Sequence, residues 1–143
     1  MTENKSLKSL TVLLRAAQTI ESVIRKDMQQ YNINLNEFAV LELLYHKGEQ
    51  PIQRIGDKIL ITSGSITYIV DKLEKRGFVE RIACPTDRRV TFTAITKAGH
   101  AFIETIFPQH EQLVAEMFSP LSDVEKDTMI DLIKKVGYHS KNL

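Results

Sequence analysis

Tryptophan is absent from this 143-residue chain, cysteine occurs once, and there are six glycines and four prolines. Each scarcity excludes something. A lone thiol, Cys84, forms no internal disulfide, so no disulfide framework staples the fold, and the reducing cytoplasm is the expected compartment. No run of about 18 apolar residues occurs, which excludes a membrane-spanning helix and a membrane partner. The start, Met1 to Lys5, leads into an amphipathic segment rather than a short apolar stretch with a cleavage site, so no secretory signal is expected. No glycine-rich phosphate loop follows a strand pattern, and neither a nucleophile elbow nor a zinc-protease motif is present, so an enzyme is not expected. The histidines His46, His100, His110 and His139 are scattered. Glu42 and His46 stand four apart, but no His-x-x-x-His or Cys-x-x-Cys spacing accompanies them, so neither a metal nor another cofactor is expected.

What is present is an ordinary globular composition, 43% hydrophobic and 26% charged, enough for one domain or for one domain with an attached oligomerisation element. Net charge is only +1, and its distribution is more telling than its sum. Residues 1–53 carry six basic and six acidic side chains, residues 54–97 nine and five, and residues 98–143 four and seven. A basic middle between neutral and acidic ends is compatible with nucleic acid, although a solvated charged face explains it nearly as well.

Apolar spacing organises the chain. Leu10, Leu13, Leu14, Ala17, Ile20, Ile24 and Met28 recur at steps of three and four, predicting one long helix over residues 6–31. Asn32-Ile33-Asn34 ends it, and Asn36 is read as the cap of a second helix that stops at Lys47-Gly48. Pro51 is read as the first residue of a short third helix. Ile66, Ile69, Val70 and Leu73 mark a fourth, closed by Arg76-Gly77. Residues 78–82 and 90–95 are rich in β-branched and aromatic side chains and read as two strands joined by Pro85-Thr86-Asp87-Arg88-Arg89. Thr96 caps the next helix, where Pro108 predicts a kink or a break, and Ser122-Asp123-Val124-Glu125 is a capping box for the last.

The expected fold is therefore mainly α with one β-hairpin. A short helix, a turn, a second helix and a hairpin over residues 51–96 form a winged helix-turn-helix, in which the second helix fits a major groove and the hairpin reaches the neighbouring backbone or minor groove. With the apolar stripe inward, about 100° per residue places Gly64, Tyr68, Asp71 and Lys75 outward, with Thr67, Ser65 and Lys72 at the edges. Solvent exposure alone would explain these polar residues. The hairpin shifts the balance, because Arg88 and Arg89 at its tip serve no stability requirement and suit an electronegative minor groove, with Asp87 able to fix one of them. A winged helix used for protein contact is the competing reading, and it would not need the arginine tip.

The run Ile69-Val70-Asp71-Lys72-Leu73-Glu74-Lys75-Arg76-Gly77-Phe78-Val79-Glu80-Arg81, then Asp87-Arg88-Arg89, then Ile95-Thr96-Lys97-Ala98-Gly99, resembles the signature of the MarR family of transcriptional regulators. Ile95 stands where that signature usually has leucine. The resemblance spans the chain and implies one domain over residues 1–143. Residues 32–97 would form the DNA-binding lobe, and residues 6–31 and 98–138 the dimerisation helices. It implies double-stranded DNA with a palindromic operator as partner, a homodimer, and repression relieved by a small aromatic or phenolic inducer or by an oxidant. The DNA-binding residues it points to are Thr62, Ser63, Gly64, Ser65, Thr67, Tyr68 and Lys72 in the major groove. Asp87 and Arg89 match the wing pair, and Arg88 would meet a phosphate. The surplus of apolar residues in the end segments fits an isologous dimer, with a larger monomeric helical core as the alternative.

Cys84 is a candidate redox sensor, since Arg81 and Arg88 are close in sequence and a cation lowers a thiol pKa. The plainer reading, preferred here, is a small residue at a strand end.

Overall fold

In the computed structural model, which describes residues 3–59 and 66–143, the chain begins with helix α1, Lys5–Gln29. Its stripe divides along its length. Leu10, Leu13 and Leu14 are exposed, Ile24 packs against the core, and Met28 is fully buried. Asn4 caps the start by accepting the Leu7 N–H at 3.1 Å. Beyond the end, Asn32 adopts φ +52°, a left-handed conformation that asparagine tolerates better than most residues.

Helix α2, Leu35–Lys47, starts two residues earlier than an Asn36 cap would set it. Asn34 is the cap: its side chain accepts the Glu37 N–H at 2.8 Å, and the Glu37 carboxylate accepts the Asn34 N–H at 3.4 Å. A glutamate three residues beyond the cap decides between the two asparagines, because only Asn34 has one to close the reciprocal pair. Gly48, with φ +78°, ends α2 as expected.

Pro51 lies just before helix α3, Ile52–Lys58, rather than at its first position, and belongs to a two-residue strand, β1, Gln50–Pro51. Helix α4, Ile66–Lys75, is followed by β2, Val79–Ala83, and β3, Thr91–Ile95. The sheet is three-stranded and antiparallel in the order β1-β3-β2, with Gln50 opposite Thr93 and Arg81 also opposite Thr93. The expected hairpin is thus present with a short third strand added at its edge, where a proline is admissible because no ladder N–H is demanded of it.

Helix α5, Lys97–Met117, starts from Thr96, whose hydroxyl accepts the Gly99 N–H at 3.1 Å. Of the kink or break expected at Pro108, the break does not occur; the helix continues through it. Pro108 forfeits one bond to the Glu104 carbonyl, a local loss within a 21-residue helix anchored by the buried Ile103 and Ile106.

The chain divides into two compact units, Met1–Pro108 and Gln109–Leu143. In the first, Phe38, Val40, Leu41 and Leu44 of α2 meet Ile55, Ile69, Val70, Leu73, Val79, Ile103 and Ile106 in one core. Truncating any of its large side chains to alanine costs about 2–5 kcal/mol. The second contains α6, Asp123–Ser140, started by the capping box read from the sequence: Glu125 N–H to Ser122 Oγ at 3.2 Å and Ser122 N–H to Glu125 at 2.9 Å. No residue of α6 is buried, and Leu132, Ile133 and Val136 stand in the open.

Candidate DNA-binding interface

Helix α4 presents two distinct faces. Ile69, Val70 and Leu73 are buried, with Ile66 packed at the core's edge, while Thr67, Tyr68, Lys72 and Lys75 face solvent. Tyr68 is 58% exposed, and the Lys72 ammonium lies 5.3 Å from its ring centroid, a cation–π pair that steadies both side chains. Thr62, Ser63, Gly64 and Ser65 lie outside the described residues. The C-terminal end of α4 closes in a Schellman motif: Gly77 at φ +78° bonds to the Glu74 carbonyl at 2.9 Å, and Phe78 to the Leu73 carbonyl at 3.0 Å.

Asp71, read from helix geometry as an outward residue, is instead engaged by the wing. Arg81 of β2 pairs with Asp71, donates to Glu74 at 2.7 Å, and reaches the Thr67 carbonyl at 3.4 Å. Its side chain is only 25% exposed, so these pairs count for more than ordinary surface ion pairs. Sequence reasoning missed this role because the partners lie seven, ten and fourteen residues away on another element. The available signal was two carboxylates one turn apart on α4, at positions 71 and 74.

The wing loop is closed by Cys84 N–H to the Val90 carbonyl and by Val90 N–H to the Asp87 carbonyl, both at 3.1 Å. Asp87 then holds Arg89 as the sequence suggested. One carboxylate oxygen accepts the Arg89 backbone N–H at 2.9 Å and Nε at 3.2 Å, and the other accepts Nη2 at 3.4 Å. The backbone bond, and after it the side-chain bonds, hold the Asp87 carboxyl below its ordinary range, so it stays ionised. Arg89 is nonetheless 91% exposed along its side chain: directed, but free to meet an anion. Gln53 of α3 adds a second hold, donating to the Arg89 carbonyl at 3.4 Å. Arg88 is exposed beside it.

Cys84 is half-buried, and its thiol is drawn below the ordinary range. The cause is not a neighbouring cation. The Thr86 hydroxyl 3.3 Å from Sγ is the main contributor, with backbone hydrogen bonding at Thr86 adding to it, while Arg81 is committed to Asp71 and Glu74. Among the described residues no three histidine, cysteine or carboxylate side chains cluster to hold a metal ion, and no helix is long and apolar enough to cross a membrane. His46 packs edge-on against the rings of Tyr45 and Phe107.

A family model described as the MarR family matches residues 33–91, the core of this arrangement. The HTH-type transcriptional regulator MhqR of Bacillus subtilis (strain 168) is 52% identical over 141 residues, spanning 99% of this chain and 97% of the relative. The chain belongs to the MarR family. It is a DNA-binding transcriptional regulator with the winged-helix fold, not an enzyme. Among solved MarR family structures, Sco3205 of Streptomyces coelicolor, in complex with DNA, superposes with a TM-score of 0.86 at 20% identity, over 96% of this chain and 88% of that one. BpsR of Bordetella bronchiseptica, whose DNA binding is regulated by 6-hydroxynicotinic acid, gives a TM-score of 0.80 at 22% identity, over 91% of this chain and 98% of that one. At these identities the likeness is one of fold. The family membership and the mainly α, winged-helix architecture read from the sequence are both confirmed.

Proposed function

We propose that this MarR-family regulator is a cytoplasmic homodimeric repressor that binds an imperfect palindrome and is released by a small aromatic or phenolic ligand or by an oxidant. Residues 32–97 are the DNA-binding lobe, and residues 6–31 and 98–138 supply the dimer helices. Thr62, Ser63, Gly64, Ser65, Thr67, Tyr68 and Lys72 read the major groove, Arg89 held by Asp87 enters the minor groove, and Arg88 meets a phosphate.

The observation that carries this reading is the wing. Arg89 is anchored at its own backbone by a carboxylate two residues away, yet its side chain is 91% exposed and packs into no core. It is a directed cation awaiting a partner. The dimer is supported by two amphipathic helices with uncovered apolar faces: Leu10, Leu13 and Leu14 on α1, and Leu132, Ile133 and Val136 on α6. A soluble protein rarely leaves such stripes bare. The ligand class is supported by BpsR, a fold neighbour regulated by a hydroxylated aromatic acid.

The test is a mobility shift on duplexes that the protein itself selects from a randomised pool, followed by a thermal-shift screen of hydroxylated aromatic compounds. A compound that stabilises the protein should release the selected duplex. Selection of no consensus would overturn the operator reading, and stabilising compounds that leave the complex intact would overturn the inducer reading.

A further inference from the structure

Arg76 precedes Gly77, the glycine that closes α4. In the structure it stands where three segments meet. Its Nη1 donates to the carbonyl of Asn32, the left-handed residue between α1 and α2. Its guanidinium lies 4.8 Å from the Phe78 ring centroid and 5.5 Å from that of Phe102 on α5. Those two rings stack on each other, 4.4 Å apart and 20° from parallel. Nearby, the Thr96 hydroxyl donates to the Gly77 carbonyl at 2.5 Å, and the Thr96 N–H to the Phe78 carbonyl at 3.0 Å. The C-terminal end of the recognition helix is thereby fastened to the end of α1 and to the start of α5.

From this geometry we infer that Arg76 is a positioning residue for DNA recognition, one that sets the pose of α4 against α1 and α5 and takes no phosphate itself. A cation at the end of a recognition helix would ordinarily be counted among the phosphate contacts. Here its charge is spent on a backbone carbonyl and two aromatic faces. Planarity matters as much as charge, because a guanidinium both stacks and donates whereas an ammonium is a compact point charge. A recognition helix freed at this end still carries its side chains but presents them at a varied angle. That loss falls on base readout, which depends on alignment, and spares the sequence-independent attraction to the backbone.

The inference rests on the DNA-reading role of α4, and the experiment separates the two. Wild type, Arg76→Lys, Arg76→Ala and Phe102→Leu are titrated, well below their unfolding midpoints, against a duplex selected by the wild-type protein and against a scrambled one, over a range of salt. Phe102 is on α5, outside the proposed DNA-reading residues, and its replacement removes one face of the stack while leaving Arg76 in place. The expected result is a loss of about three- to thirtyfold in affinity for the selected duplex in all three variants. Affinity for the scrambled duplex and the slope of log K against log salt should stay at the wild-type values. Weakening on both duplexes with the slope reduced by about one, confined to Arg76→Ala, would make Arg76 a phosphate ligand and overturn the inference. Selected-duplex affinity unchanged in all three variants would also overturn it, leaving the joint a matter of fold stability alone. Failure of the wild-type protein to prefer any duplex would instead overturn the DNA-reading role itself.

Discussion

Gly99 sits so close to Phe78 that a methyl group on its α-carbon would stand 2.1 Å from the Phe78 carbonyl oxygen and 2.9 Å from an Ile95 side-chain carbon. The obstacle is backbone, which cannot swing aside as a flexible side chain would. Gly99→Ala is therefore expected to destabilise the protein by at least about 1–3 kcal/mol, although alanine is the better helix former. Thermal unfolding followed by circular dichroism checks this, and a midpoint equal to wild type would contradict the close approach.

Thr93 offers the opposite experiment. It is wholly buried in β3, and its hydroxyl has no hydrogen-bond partner among the described residues. Thr93→Val keeps the shape and removes the stranded polar group, so a gain of about 1 kcal/mol is expected. Thr93→Ser keeps the hydroxyl, loses a methyl, and should be less stable than wild type. Denaturant titration of the three proteins gives the order directly.

The wing prediction separates two arginines. Arg89→Ala should weaken operator binding by roughly 1–3 kcal/mol, since on the proposed reading it removes a directed groove contact. Arg88→Ala should chiefly lower the salt dependence, by about one unit of slope for one phosphate lost. Fluorescence anisotropy across a salt series reads both, and a folded double variant with unaltered affinity would remove the wing from the interface.

Cys84 has a thiol pKa lowered by Thr86, so alkylation by iodoacetamide should reach half its maximal rate below the ~8.5 of a free cysteine. The sign is that of any depressed acid: the thiolate is populated at a lower pH than in an unfolded chain. Thr86→Val should move the midpoint up. Cys84→Ser should leave DNA affinity and ligand release near wild type. An oxidant response lost in that variant alone would identify Cys84 as a sensor.

Spacing tests the dimer without altering the protein. Inserting about five base pairs between half-sites turns one major groove to the far side of the duplex, and affinity should then fall toward that for non-specific DNA. Binding that survives the insertion would exclude a rigid dimer.

How far these features were legible depends on how local their causes are. The Gly77 ending of α4 and the Ser122–Glu125 box of α6 were readable because each is decided within six residues. The α2 cap was misplaced by two residues since both Asn34 and Asn36 qualify alone, and only the reciprocal bond to Glu37 separates them. Strand β1 escaped notice because two residues, one of them proline, show no alternation, and their pairing with Thr93 and Phe92 is made some forty residues away. Of the two outcomes read at Pro108, a kink or a break, the break is absent, because a missing bond is a local cost and the burial of Ile103 and Ile106 is not. The wing pair Asp87–Arg89 was legible at two residues' separation, while the Arg81 and Arg76 contacts, which cross between elements, were not.

Arg81 carries a consequence for the operator. It ties the wing strand to Asp71 and Glu74, one turn apart on the recognition helix, so helix and wing travel together within a lobe. On the proposed reading, the offset in base pairs between the major-groove and minor-groove contacts of one half-site is then fixed by a side chain, like the gauge of a rail. On that same reading, a natural operator of this protein is held to one measure inside each half-site.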